Sequence, residues 1–181
     1  MKAVKNIQES LGMLSLKKKK KKLKRSVKSF NIAKASSVGI LYNATNRNDY
    51  ELAKKLVQYF REERKEVMSL GYINSKKSSE LVTPQLHLSF FDNNQLSKRM
   101  IPKGNDVEKF IQTPYSIMID LNIHPSFPIE YICSLSRAKF KVGATGDYRD
   151  EVCDMTIDIE QDKRIEYLII QIKHYLKMIN N

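Results

Sequence analysis

The chain has 181 residues, 41% of them hydrophobic and 29% charged, proportions that suit one folded domain with an appendage and imply neither a disordered chain nor a disulfide framework. Its net charge of +12 is unevenly placed: residues 1–35 hold 12 of the 32 basic residues against one acid, Glu9, so this arm carries +11 and the remainder +1. No run approaches the ~18–20 apolar residues that span a bilayer, and Glu9, Ser10 and Gly12 interrupt any signal-peptide core, so a cytoplasmic location is expected. Cys133 and Cys153 show neither CxxC nor metal-ligand spacing and read as buried thiols.

In chain order the arm comes first. Ile7, Leu11 and Leu14 fall at i, i+4, i+7, and Leu16, Leu23, Val27 and Phe30 at i, i+7, i+11, i+14. Each set is a narrow apolar stripe at helical period, which predicts a helical arm. Lys17 to Lys22 repel one another, so the isolated helix is marginal until a polyanion neutralises it. Ser36-Ser37 is the joint, giving a basic arm over 1–35 and a domain over 36–181.

Val38 to Tyr42 reads as a buried strand, and Asn43 to Asn48 as a turn. Asn48 or Asp49 caps a helix running to about Lys65, with Leu52, Leu56, Val57 and Phe60 inside. Val67 to Ile73 is a second strand, residues 74–85 are a polar loop tipped by Lys76-Lys77-Ser78-Ser79, and Leu86 to Phe91 is a third strand. Residues 92–104 carry no clear pattern. Asp106 to Gln112 is a short helix, and Tyr115 to Leu121 is continuous and apolar, as a central parallel strand should be. A helix over Pro128 to Arg137, a strand over Lys139 to Val142, a loop over Gly143 to Asp150 and a strand over Met155 to Ile159 follow. Ile165 to Ile179 is a closing amphipathic helix.

Strands alternating with helices predict an α/β fold: a single doubly wound, mostly parallel sheet preceded by the basic helix. The stretch VGILYNATNRNDYELAKKL, the block PYSIMIDLNIHPSFPIEYICSLSRAKFKVGATGDY and the closing IIQIKHYL resemble an uncharacterised bacterial domain family of unknown function, over roughly Phe30 to Asn181. A looser likeness, over Ile119 to Leu121 and Leu135 to Gly143, is to the N-terminal half of heptosyltransferase-type glycosyltransferases. That family's Gly-Asp loop after the first strand is replaced here by Asn43-Ala44-Thr45-Asn46, and the chain stops where a donor-binding second domain would begin. The likeness therefore implies a Rossmann-like half and no transferase activity.

The strongest functional signal is the cationic run, Lys17, Lys18, Lys19, Lys20, Lys21, Lys22, Lys24, Arg25 and Lys28. Lysines bind phosphate as point charges without demanding geometry. Phe30 is the arm's only aromatic residue, which argues against base stacking. The run points to a non-enzymatic protein binding structured RNA, ribosomal RNA or a ribosomal particle included, through its backbone phosphates. The stripe beside the lysines would also suit an anionic membrane surface, and a solvated tail is the plain alternative. Parallel sheets hold ligands beyond the carboxyl ends of their strands; here those ends offer Asn43, Thr45, Asp120, Asn122, His124 and Thr145 as a cleft for a small molecule or nucleotide. The loop Gly143 to Asp147 matches no phosphate-binding motif and reads as a turn. His87, His124 and His174 are far apart, no catalytic set is visible, and no metal or cofactor is expected.

Overall fold

The computed structural model describes residues 2–75 and 86–180; the lysine-serine tip at 76–79 lies outside them. Helix α1 spans Lys2–Lys20. Strand β1 (Ser37–Asn43), helix α2 (Arg47–Glu62), strand β2 (Glu66–Ile73) and strand β3 (Leu88–Asp92) follow. Then come α3 (Asn105–Gln112), β4 (Ile117–Asp120), α4 (Phe127–Leu135), β5 (Phe140–Ala144), a single helical turn α5 (Arg149–Val152), β6 (Met155–Ile157) and α6 (Ile165–Met178).

The strands form one six-stranded sheet in the order β3-β2-β1-β4-β5-β6, and every neighbouring pair is parallel. This is the order of a doubly wound Rossmann-like sheet, with the chain reversing its direction of travel between β1 and β4. Successive side chains on a strand point to opposite faces, and the core divides accordingly. Ile40, Ile119 and Val142 face α2 and α6, where they meet Phe60, Leu168 and Ile172. Leu41, Met118 and Leu70 face the other way, toward Leu16 of α1, Phe110 of α3 and Ile132 of α4. With both faces covered, β1 and β4 are buried along their lengths, and this is why their sequences are apolar runs without alternation.

The expected elements of the domain all form, with shifted ends. The side chain of Asn46, rather than Asn48 or Asp49, caps α2 by accepting the N–H of Asn48 at 2.8 Å. The third strand starts at Leu88, because His87 takes a left-handed backbone (φ 72°) that ends the turn before it.

The arm departs further from its sequence pattern. Its helix ends at Lys20, and Leu23, Val27 and Phe30 lie in a strap without regular structure. The strap's backbone is used for tertiary bonds: the N–H of Lys28 donates to the carbonyl of Lys139 at 3.0 Å, and that of Ile32 to the carbonyl of Leu176 at 3.2 Å. Ile32 and Ala35 are buried in the α2–α6 core. Helix α1 lies against α4, running from the carboxyl ends of the strands, where Asn6 and Ser10 stand near Ser126, toward the amino ends, where Lys22 stands near Arg137. Gly12 permits this approach, since a Cβ there would collide with the carbonyl of Arg99 and come within 2.6 Å of the Phe127 ring. The contact buries Leu16 and leaves Ile7, Leu11 and Leu14 exposed, at 63, 46 and 58%.

Candidate functional site

Two surfaces stand at opposite ends of α1. At its carboxyl end are the lysines. Lys17, Lys18, Lys19, Lys21, Lys22, Lys24 and Lys28 are exposed. Among the described residues, Lys20 and Arg25 are the two members of the predicted set that reach a carboxylate. Lys20 stands 3.8 Å from Glu151. Arg25 makes a bidentate pair with Asp154, both bonds at 2.6 Å, and also donates to the carbonyl of Ala138 at 3.1 Å. Arg25 is therefore a clamp between strap and sheet, whereas the lysines remain presented to solvent. Lys19 also lies 5.5 Å from the centre of the Tyr131 ring.

The folded body adds to this charge. A groove of about 600 Å³ between the end of α1, α3 and α4 is lined by Lys19, Lys22, Lys103 and Arg137 against one acid, Glu108. Lys103 and Arg137 both lie far from the cationic run in sequence, and Arg137 alternates instead with Lys139 and Lys141. Tertiary packing alone sets them beside the run.

At the amino end of α1 is a cleft of about 850 Å³. One side is α1, through Asn6, Glu9, Ser10, Met13 and Lys17; the other is the start of α4, through Ser126, Phe127 and Glu130. Asn43 at the end of β1 and Tyr72 and Asn74 at the end of β2 complete it. The Tyr72 hydroxyl donates to Asn93 Oδ1 at 2.6 Å. Burial, with Glu9 and Asp92 nearby, pushes that phenol up to about 12. Burial also raises the Glu130 carboxyl, opposed by Lys20 and reinforced by Glu151, Asp147 and Glu9.

The candidate cleft residues read from the strand ends do not converge. Asn43 lines the large cleft; Thr45 is exposed beside it, its hydroxyl accepting the Asn74 N–H at 2.8 Å. Asp120 and Asn122 are buried, and Asp120 accepts bonds from the Tyr148 hydroxyl and from both the backbone and side-chain N–H groups of Asn122. Burial raises the Asp120 carboxyl despite these bonds. Asp120 is thus an anchor for two loops, with its oxygens occupied from inside. Thr145 and His124 line a separate hollow of about 390 Å³ with Asp147, Asp158, Glu160 and Lys163. In that loop Gly146 takes φ 105° and donates its N–H to Asp150 at 2.8 Å, which fits the reading of a self-contained turn. Cys133 is buried, Cys153 half-buried, and both are free thiols. No group of three metal-ligating side chains occurs among the described residues, and none of their helices is long and apolar enough to cross a membrane.

An all-parallel sheet in this order, covered by helices on both faces, defines an α/β protein of Rossmann-like architecture. The chain belongs to the family of unknown function DUF6913, whose model matches residues 8–179 and so takes in most of α1 as well as the sheet. No curated protein and no solved structure matches it, and the likeness to heptosyltransferases finds no counterpart in these comparisons.

Proposed function

We propose that this protein binds a polyanion, structured RNA such as that of a ribosomal particle, through backbone phosphates at the carboxyl end of α1. The observation that carries this reading is the set of exposed lysines at the end of α1 and along the start of the strap, extended by Lys103 and Arg137 around one groove. A helix docked through Leu16 and a strap clamped by Arg25 on Asp154 hold these charges together, and among the described residues Lys20 is the one lysine of the run that pairs with an acid, Glu151 at 3.8 Å. Lysine predominates and no stacking aromatic is exposed among them, so recognition rests on charge and shape.

The test is a filter-binding titration of the full chain against structured RNA over a range of salt. Contact with about six phosphates gives log K falling with log salt at a slope near −4 to −5. Replacing Lys18, Lys21 and Lys22 with alanine flattens that slope by about 2 to 3. A wild-type slope near zero, or triple-variant affinity equal to wild type, refutes the reading.

The exposed line of Ile7, Leu11 and Leu14 favours a second reading, attachment to an anionic bilayer, in which aliphatic side chains enter the headgroup region beside the lysines. Ile7→Asp with Leu11→Asp separates the two: it abolishes co-sedimentation with anionic vesicles and leaves RNA retention unchanged if both surfaces act as described.

A further inference from the structure

The groove between the end of α1, α3 and α4 has a feature that phosphate binding leaves unused, an apolar floor. We infer that this groove is a binding site for a monoanionic amphiphile, an aliphatic chain ending in a single carboxylate, with the chain laid on the floor and the carboxylate held at the basic rim.

The floor is the first argument. Leu23, Ile101, Pro102, Val107, Ile111 and Leu135 line the groove. They come from separate parts of the chain: the strap, the loop before α3, one face of α3 and the last turn of α4. Leu23 and Ile101 remain half-buried. An aliphatic chain resting there removes apolar surface from water on both sides of the contact. A nucleic-acid backbone, polar along its length, gains nothing from such a surface. The volume of about 600 Å³ is within the range that holds a small molecule.

The rim is the second argument. Lys19, Lys22, Lys103 and Arg137 are exposed around this floor, with Glu108 the one acid among the lining residues. The guanidinium of an arginine suits the two oxygens of a carboxylate, and lysines add charge without demanding geometry. The carboxyl end of α4 borders the groove at Leu135, and a bare helix end there would repel an anion. Here the Lys141 ammonium meets it from inside, donating to the carbonyls of Cys133 and Ser134.

The third argument is how few other polar groups there are. Gln112 and Tyr131 are the uncharged polar side chains of the lining. A sugar or a base needs several directional donors and acceptors to be held. A ligand with one charged end and an apolar body needs only what this groove presents.

The experiment is a thermal-shift and calorimetric titration of the full chain with acetate, hexanoate, octanoate and decanoate, each below the concentration at which it forms micelles, beside 1-octanol and octyltrimethylammonium. Octanoate is expected to raise Tm at millimolar concentration. Affinity is expected to grow from hexanoate to decanoate by up to about fourfold per methylene, while acetate, a head without a chain, gives no shift. Octanoate is expected to bind at least about tenfold more tightly than 1-octanol or octyltrimethylammonium, a margin that one charge-assisted contact supplies. Lys103→Glu with Arg137→Glu, both at exposed positions on the rim, should weaken octanoate binding at least about tenfold while the unliganded Tm holds. Lys18→Glu with Lys24→Glu changes the net charge equally outside the groove and should leave octanoate affinity unchanged. Absence of a shift with hexanoate, octanoate and decanoate overturns the inference. So does equally tight binding of octyltrimethylammonium, or an equal loss in the two double variants. None of these readouts uses nucleic acid, and the floor takes no part in the RNA reading, so the failure of either leaves the other standing.

Discussion

Lys141 sits on β5 with 2% of its surface exposed, and its ammonium donates to the carbonyls of Cys133 at 2.7 Å and Ser134 at 3.3 Å. These are carbonyls at the carboxyl end of α4, which the helix itself leaves unpaired. Burial lowers the Lys141 pKa from 10.5 to about 8, with Arg25 adding to the effect and the two cysteines and Asp154 opposing it. The unfolded chain therefore binds this proton at a pH where the folded chain does not. Above 10.5 both states are neutral here, and below about 8 both are charged; between them the Lys141 contribution to stability rises with pH. The slope is at most about 1.4 kcal/mol per pH unit. Tyr72 and Tyr115, pushed up to about 12 by burial, act in the opposite sense once an unfolded phenol ionises, near pH 10, and the Cys133 thiol, raised by its contact with Cys153 and by burial, does so from lower pH as the unfolded thiol ionises. The lysine is therefore read as a difference: from pH 8 toward 10, urea midpoints of wild type should rise relative to those of Lys141→Met. A lysine in an apolar strand gave no sequence signal of this role, because its partners are helix-end carbonyls brought there by packing.

Helix α1 shows how a tertiary contact overrides an apolar period. An amphipathic helix ordinarily turns its apolar stripe to the core, but Ile7, Leu11 and Leu14 face outward, and Gly12, Leu16 and part of Met13 face the body. Close approach at Gly12 and the fit of Leu16 into the cluster of Phe127 and Ile132 set the rotation of the helix. Leu16→Asp places an unpaired charge in that cluster and should cost at least about 3 kcal/mol in chemical unfolding. Leu11→Ser, equally drastic by sequence pattern, should change stability by no more than about 0.5 kcal/mol. Equal costs at the two positions would show that the helix does not dock through Leu16.

Across the whole molecule, the charge discontinuity near residue 35 is not a break in packing. The strap joins the α1–α4 layer to the opposite face, where Ile32 and Ala35 enter the core with α6. The Arg25–Asp154 pair fixes its middle; each side chain is 15% exposed, and Asp154 Oδ2 also accepts the Lys141 N–H at 2.8 Å. Asp154→Ala leaves Arg25 without its partner in a partly closed site, and about 3 kcal/mol is expected to be lost. For a chain of this size that lowers Tm by about 6 to 12 °C by scanning calorimetry. The same connections make deletion of the arm a poor probe of RNA binding, since it removes core residues along with the lysines.

The sequence by itself determined the class of the fold. Short apolar runs such as Val38 to Tyr42 and Ile117 to Leu121, with amphipathic helices between them, admit a parallel sheet covered on both faces and little else. It also located the cationic run, because charge is a property of composition and needs no packing to be read. Which way α1 turns, where its helix ends, and that Lys103 and Arg137 join Lys19 and Lys22 were decided only in three dimensions. So was the cleft: Asn43 was marked in advance by its place at a strand end, but Asn6, Ser10 and Glu130 lie far from it in the chain. Asp120, also marked by its place at a strand end, proved to be sealed by Tyr148 and Asn122. The physical reason is common to these cases. Local sequence sets backbone preference and polarity, whereas the direction in which a side chain points depends on the closest approach between elements distant in sequence, here the approach that Gly12 allows.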